Sequence, residues 1–242
     1  MQGLKLAPKL KSILDDFIKA LQGTYGEDLV SVILYGSAAS GEFIDRHSNL
    51  NLLVVLKNTD LENLRKATTV INKLKFRAMH PLFFTEDYIR SSTDTFPIEF
   101  LDMKENYAVL LGRDTFKGIS IDTRNLRFQC EQELKEKLIN LKQLYLRRNK
   151  DKTALSNALF KVFTSVLHIL RNVLRLTGRL PSYLKEDILR EISVEFQIDS
   201  DIWKKILVAK NKQIRLSAAE IEHSFTGFAK DLEKIINAVD KL

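Results

Sequence analysis

The sequence predicts an α+β protein. A mixed α/β domain over residues 1–122, with a β-sheet and flanking helices, should precede an all-α helical bundle over residues 123–242. In the first half, short apolar runs rich in β-branched residues, typical of strands, alternate with helical segments. The second half shows helical periodicity alone. Charge divides at the same place, since residues 1–122 hold 15 Lys and Arg against 16 Asp and Glu, and residues 123–242 hold 23 against 15.

The first domain opens with an amphipathic helix, because apolar residues recur at helical spacing after Pro8, a residue suited to a first turn. Two runs, LVSVILY and LNLLVVL, are too short and too β-branched for helices and predict strands. In chain order the predicted elements are helix 8–22, strands 29–35 and 50–56, helix 59–75, strand 81–84, helix 86–91 capped by Thr85, and strands 98–103 and 108–111.

The second domain should consist of helices joined by short connections such as TGRLP. The helices are predicted at 126–148, 154–177, 183–196, 201–210 and 218–239. Ser182, Ser200 and Ser217 stand where N-cap residues belong. A bundle that follows the α/β domain directly is therefore expected.

Composition excludes several classes of protein. A chain of 242 residues with 45% hydrophobic residues can bury a substantial core. Its apolar runs are broken by charge well before the roughly 18 residues of a membrane span, and MQGLKLAPKLKS lacks a signal-peptide core. The single cysteine, Cys130, excludes an internal disulfide and a cysteine-based metal cluster. We therefore expect a cytoplasmic protein with no membrane partner.

The net charge of +7 belongs to the second half of the chain. Such asymmetry has two explanations: a polyanionic or protein partner for the helical bundle, or a set of solvated helix faces. The densest basic stretch contains Arg147, Arg148, Lys150 and Lys152. A protein or an RNA is therefore a candidate partner of the basic half.

The stretch YGSAASGEFIDRHSNLNLLVVL, residues 35–56, contains the strongest functional signal. Gly36 and Ser37 follow a strand, and a glycine turn of this kind lets backbone N–H groups approach a phosphate closely. Asn49 and Asn51 open the next strand, where a period of two places both side chains on one face. A nucleoside triphosphate is therefore a candidate ligand, with Gly36 and Ser37 as the residues that bind it.

This arrangement resembles the nucleotidyltransferase superfamily typified by DNA polymerase beta, kanamycin nucleotidyltransferase and the minimal bacterial nucleotidyltransferases. The shared pattern is a hydrophobic strand, Gly-Ser, a loop and an acid-hydrophobic-acid strand; it covers residues 29 to about 112. The resemblance implies that Asn49 and Asn51 occupy the positions of two acids that hold magnesium ions. It also implies a third acid on a neighbouring strand, for which Glu99 in the predicted strand 98–103 fits best and Asp102 is the other candidate.

Two asparagines in these positions should impair the family's chemistry. Magnesium sites rely on carboxylates for charge as well as geometry, and asparagine keeps the shape without the charge. Losing both acids should suppress transfer by several orders of magnitude, because phosphoryl transfer depends on electrostatic stabilisation. We therefore expect no bound metal, and magnesium only if activity remains. The amides can still hydrogen-bond phosphate oxygens or a base.

Three functions follow from these observations. The first is a nucleotide-binding pseudoenzyme, or a weakly active enzyme, with the nucleotidyltransferase fold. The second is an active magnesium-dependent transferase that moves a nucleoside monophosphate to a small molecule or a protein, with Glu99 and Asp102 carrying the metal. The third is a non-catalytic interaction module whose basic bundle binds a protein or RNA. The sequence fits a natural asparagine pair and an engineered one equally well.

Overall fold

The computed structural model describes residues 6–41, 49–73 and 79–242. The chain forms two compact units, Met1–Ile121 and Asp122–Leu242, which we call the α/β unit and the helical unit. The first contains a four-stranded mixed sheet with helices, and the second contains helices. The predicted α+β fold class is confirmed.

The α/β unit is built around the sheet, with strand order β3-β2-β1-β4. Its elements are α1 (Pro8–Tyr25), β1 (Leu29–Tyr35), α2 (Ser37–Ser40), β2 (Leu50–Leu56), α3 (Leu61–Lys73), β3 (Met79–Phe84), α4 (Glu86–Ser91), α5 (Pro97–Glu105) and β4 (Tyr107–Gly112). Strand β1 pairs antiparallel with both β2 and β4, and β2 pairs parallel with β3. The end of β1 therefore lies beside the beginnings of β2 and β4.

The two faces of the sheet carry separate cores. One face packs against α1 and α3, and its buried residues include Leu14, Phe17, Val32, Leu34, Leu52, Val54 and Ala67. The opposite face packs against α4 and α5, with Ile33, Leu53, Val55, Ile89, Phe100, Met103 and Phe116. Burial on both sides explains why β2 is an almost continuous apolar run.

The predicted strand 98–103 is wrong, because these residues belong to α5. Alternating apolar residues in PIEFLD imitate a strand, but Pro97, Phe100 and Met103 are buried at a spacing of three, which is helical. Pro97 also occupies the first turn, where its fixed φ favours a helix. The strand that was to carry Glu99 as a third acid is therefore a helix beside the sheet.

The helical unit contains α6 (Thr123–Arg148), α7 (Lys152–Leu176), α8 (Lys185–Phe196), α9 (Ser200–Lys210) and α10 (Ala218–Val239). Ser217 caps α10 as predicted, in a capping box with Glu220. Two other predicted caps are wrong: Asp199 rather than Ser200 caps α9, and α8 begins after Leu184, without a side-chain cap. Ser182 instead accepts a hydrogen bond from the Leu184 N–H at 3.0 Å.

Helix α7 forms the centre of the helical unit and contacts α6, α8, α9 and α10. Among the described residues, α7 is the one helix long and apolar enough by composition to cross a membrane, but much of it is buried by the other helices. An aromatic cluster holds α7 to its neighbours: the Trp203 ring lies 5.7 Å from Phe163 and 4.7 Å from Phe228. The Trp203 indole N–H donates to Asp231 at 2.9 Å.

Candidate functional site

Strand register brings four polar or aromatic side chains into one row across the sheet. Asn51 on β2 lies opposite Tyr35 on β1 and opposite His80 on β3, and Tyr35 also lies opposite Tyr107 on β4. Directly opposed residues point to the same face. Tyr35 and Tyr107 pack against the core beneath α4 and α5, so this row, the polar row, lies on that face.

The turn after β1 brings the backbone close to Asn51. Gly36 has φ 76° and ψ −152°, a conformation that only glycine adopts readily. A Cβ at Gly36 would lie 3.3 Å from the side-chain nitrogen of Asn51, so the amide covers the glycine directly. The Gly36 N–H donates to the Asn106 carbonyl at 2.9 Å, which fixes the turn to the start of β4.

The short helix α2 begins immediately after this glycine. Its first residue, Ser37, is partly exposed and has a backbone N–H group with no acceptor within the helix, whereas Ala38 is fully buried. The Ala39 and Ser40 N–H groups donate to the Gly36 carbonyl at 2.9 and 3.1 Å. The Ser37 N–H therefore follows the glycine that the Asn51 amide covers, at the Gly36-Ser37 turn expected from the sequence.

The two asparagines differ in their surroundings. Asn51 lies within β2 and is half-buried, whereas Asn49 is exposed one residue before the strand begins. Among the described residues, no hydrogen-bond partner of the Asn51 amide is found. The Asn51 amide can therefore donate and accept hydrogen bonds to a ligand at the end of the sheet.

Tyr35 supplies a hydroxyl donor to the polar row. Burial, assisted by the negative charge of Asp102, raises the pKa of Tyr35 to about 12. The hydroxyl therefore stays protonated at neutral pH. The same interaction shows that Asp102 on α5 acts on the polar row electrostatically, whereas Glu99 is exposed on the first turn of that helix.

The comparisons with known proteins agree with this architecture. The structure is similar to that of spectinomycin adenyltransferase AAD(9) from Enterococcus faecialis, solved with ATP and spectinomycin, with a TM-score of 0.61 and 12% identity over 92% of this chain and 99% of that one. The chain has the nucleotidyltransferase fold. The resemblance to the nucleotidyltransferase superfamily is thereby confirmed at the level of fold.

A sequence relative points to the same superfamily. The chain is 43% identical over 49 residues to "Putative protein adenylyltransferase MJ1305" of Methanocaldococcus jannaschii. The match covers 20% of this chain and a third of the length of that relative. The sequence matches no family model. The nucleotidyltransferase fold is therefore established, while the activity of this chain has to be argued from its own residues.

The described residues do not fit the magnesium centre of an active nucleotidyltransferase. They contain no group of three or more His, Cys, Asp or Glu side chains placed to hold a metal ion. At the polar row, Asn51 offers a neutral amide and His80 an imidazole, and magnesium prefers carboxylate oxygens. Glu42, Asp45 and His47, the acids and the histidine between Ser37 and Asn49 in the sequence, lie outside the described residues.

His80 is the residue that sequence reasoning missed. The nucleotidyltransferase resemblance implies a third acid on a strand beside the acid pair, and the β3 residue in register with Asn51 is His80. The predicted strand began at Pro81, so His80 fell outside it. The alternation of Met79, buried, with His80, exposed, is the sequence signal that could have placed it.

Proposed function

We propose that this chain binds a nucleoside triphosphate at the polar row and does not transfer its nucleotidyl group efficiently. The observation that supports this proposal is the position of Asn51: its uncharged amide covers Gly36 at the turn that leads into Ser37, the first residue of α2. A nucleotidyltransferase needs negative charge at this place to hold magnesium ions. The present side chains supply hydrogen-bond donors to phosphate instead.

The available donors can hydrogen-bond a phosphate without a metal ion. The Ser37 N–H group, the Asn51 amide and the Tyr35 hydroxyl lie at the same end of the sheet. Each donates to an anion, and replacing two aspartates by asparagines also removes repulsion between the protein and the phosphates. We therefore expect binding that does not require magnesium. A cytoplasmic location, where nucleotides are abundant, is part of the same proposal.

The direct test is calorimetric titration of ATP, GTP, CTP and UTP into the full chain, with magnesium and with a chelator. We expect at least one nucleotide to bind with an affinity that is the same under both conditions. The double variant Asn49→Asp/Asn51→Asp should bind that nucleotide more weakly in chelator, because carboxylates repel phosphate. Magnesium should restore the affinity of the variant, since it joins carboxylate to phosphate.

A charge-matched control uses Asn140→Asp/Asn237→Asp, at two exposed positions of the helical unit. Its nucleotide affinity should equal that of the parent with and without magnesium. If no nucleotide binds to the parent or to the aspartate variant, the proposal is wrong and the fold alone is shared with the transferases. Magnesium-dependent binding by the parent would equally contradict it.

The second candidate function is transfer of a nucleoside monophosphate to a protein or a small molecule. The observation that favours it is the 43% identity with a relative described as a protein adenylyltransferase. Asp102 and Glu99 would then have to hold the magnesium ion from α5. Incubation with radiolabelled ATP and magnesium, with Asp102→Asn as the comparison, tests this: label on the chain itself or on an added acceptor, lost in the variant, would favour transfer.

A further inference from the structure

One end of the helical unit contains two adjoining hollows that the nucleotide proposal does not use. A cavity of about 640 Å³ is lined by residues 152–160 of α7, by residues 209–216 after α9, and by the start of α10. A second, of about 470 Å³, is lined by Tyr145, Asn149 and Lys150, and the two share Lys152 and Ala218. The smaller one lies at the C-terminal end of α6, where Tyr145 lines it, and the larger one adjoins it.

The charges around these hollows are almost all positive. Lys152, Lys212 and Arg215 line the larger one, and no carboxylate does. In the smaller one, Glu222 is neutralised, because it pairs with Lys152 at 2.5 Å and accepts a hydrogen bond from Tyr145. Basic side chains therefore outnumber acidic ones around both hollows.

Several of these cations have no counter-ion. Lys212 and Arg215 make no ion pair with any described residue, and the same holds for Arg147, Arg148 and Lys150 at the α6–α7 turn. Like charges held close together repel each other, and the one carboxylate of the α6–α7 turn, Asp151, which caps α7, offsets only part of that cost. A bound anion would offset it.

The connection that carries Lys212 and Arg215 is held in place at both ends. The Asn211 and Gln213 N–H groups donate to carbonyls of α9 at 3.0 and 3.2 Å. At the other end, Glu220 of the α10 capping box pairs with Lys205 of α9 at 2.7 Å. The cations therefore stand on an ordered scaffold, so their grouping belongs to the folded protein.

Each hollow also contains one aromatic ring. Phe160, half-buried, lines the larger hollow, and Tyr145 lines the smaller one. Proteins that bind single-stranded nucleic acids combine a row of cations with separate aromatic rings. The phosphates lie on the cations, and the bases stack against the rings. We propose that this end of the helical unit binds single-stranded nucleic acid, with one base in the larger hollow against Phe160.

Other anions fit this surface less well. A small phosphate compound would occupy one hollow and leave the cations of the α6–α7 turn without a counter-ion. An acidic protein segment would complement the charge but would need aromatic side chains at a matching spacing to fill the hollows, which a nucleic acid supplies at every position. The surface lies entirely within the helical unit, so the proposal does not depend on nucleotide binding at the polar row.

Fluorescence anisotropy with labelled U-rich RNA and T-rich DNA oligomers of about 12 nucleotides tests the proposal on the full chain. We expect binding that weakens steeply between about 50 mM and about 200 mM salt, because cations on the protein replace counter-ions. The variant Lys212→Glu/Arg215→Glu should lose about ten-fold or more in affinity. The control Arg190→Glu/Lys204→Glu changes net charge equally at exposed sites outside both hollows and should lose much less.

The variant Phe160→Leu tests the base contact, because leucine keeps the apolar volume without a planar ring. We expect an affinity about five-fold or more below that of the parent, with an unchanged salt dependence. Asn51→Asp should bind the oligomers like the parent, which separates this surface from the polar row. The relative affinity for RNA and DNA shows which nucleic acid is preferred.

Three results would overturn the proposal. The first is no binding of either oligomer below about 100 µM at low salt, which is no better than weak nonspecific association. The second is an equal loss in the two double variants, which would reflect net charge alone. The third is binding of polyglutamate as tight as that of the oligomers together with no effect of Phe160→Leu, which would point to an acidic protein instead. Circular dichroism of every variant establishes that it is folded.

Discussion

The two units of this protein present their chemistry in different ways. In the α/β unit, the candidate site comes from a turn at Gly36 and one strand residue, Asn51, placed together by sheet register. In the helical unit, the basic surface comes from residues 147–152 and 212–215, which meet only because the helices pack. A site built from neighbouring strand ends can be recognised as a motif in the sequence. A site built from distant helix ends is visible in the sequence only as an excess of basic residues.

The largest loss of stability should come from Trp203→Ala, which removes the side chain at the centre of the helical unit's core. The indole is fully buried between Phe163 and Phe228, and its N–H donates to Asp231. We expect the free energy of unfolding of the helical unit to fall by about 3–5 kcal/mol. Hydrogen exchange measured by mass spectrometry should show lost protection in peptides from residues 122–242 and much less change in the α/β unit.

The matching variant in the α/β unit is Leu53→Ala, at a fully buried position of β2. Its loss of protection should concentrate in peptides from residues 6–121, at a cost of about 2–5 kcal/mol. If each variant loses protection mainly in its own unit, the two units unfold separately. Equal losses in both sets of peptides from either variant would mean that the chain unfolds as one cooperative unit.

A smaller loss of stability should come from a substitution in the turn of the candidate site. Gly36→Ala puts a side chain at φ 76° and ψ −152° and brings a Cβ against the Asn51 amide. Strain of this kind costs about 1–3 kcal/mol. We expect a lower denaturation midpoint and, since Asn51 must shift, a loss of the nucleotide affinity proposed above.

Gly118→Ala is the appropriate comparison, because this glycine of the same unit also has a positive φ of 81° but nothing lies within 4 Å of an added Cβ. It should lower stability without changing nucleotide affinity. If both variants bind nucleotide as the parent does, the turn at Gly36 is structural and does not form part of a ligand site.

Much of the fold could be predicted because its signals are local. The β-branched runs of β1 and β2 and the periodic stripes of the long helices were sufficient for the fold class and for most elements. The segment that forms α5 could not be predicted from local signals. Ile98 and Phe100 alternate like strand residues, while Pro97, Phe100 and Met103 face the core. Over so few residues, the alternating pattern of a strand and the spacing of a helix fit the same apolar residues. Packing against the sheet decides that the segment is helical.

The candidate site was predictable only in part for the same reason. Gly36, Ser37 and Asn51 stand in a motif that is continuous in sequence, and the structure places them together. His80 depends on the parallel register between β2 and β3, which no short stretch of sequence encodes. Glu99 fits a third acid only on a strand over residues 98–103, and these residues form α5 instead. The roles of Asn49, Asn51 and Glu99 in binding stay predictions.

The smallest loss of stability should come from a substitution at Glu220, which holds in place the connection that carries Lys212 and Arg215. Its carboxylate pairs with Lys205 and accepts hydrogen bonds from Ser217, and these contacts lower the pKa of Glu220 from its usual 4.5 to about 2. A carboxyl group with a depressed pKa in the folded state stabilises the fold above pH 4.5, and this contribution is lost as pH falls toward 2.

Glu220→Gln keeps an acceptor for the capping box and removes the charge. The denaturation midpoint of the parent should therefore exceed that of the variant at neutral pH, and the difference should vanish as the pH falls from about 4.5 to about 2. Lys205→Met removes the largest cause of the shift, so the loss of stability between about pH 4.5 and about pH 2 should be smaller in this variant than in the parent and complete at a higher pH. A difference between parent and Glu220→Gln that persists unchanged at low pH would show that the side chain acts through packing, and the helical unit would then rely on its buried core far more than on its charged ends.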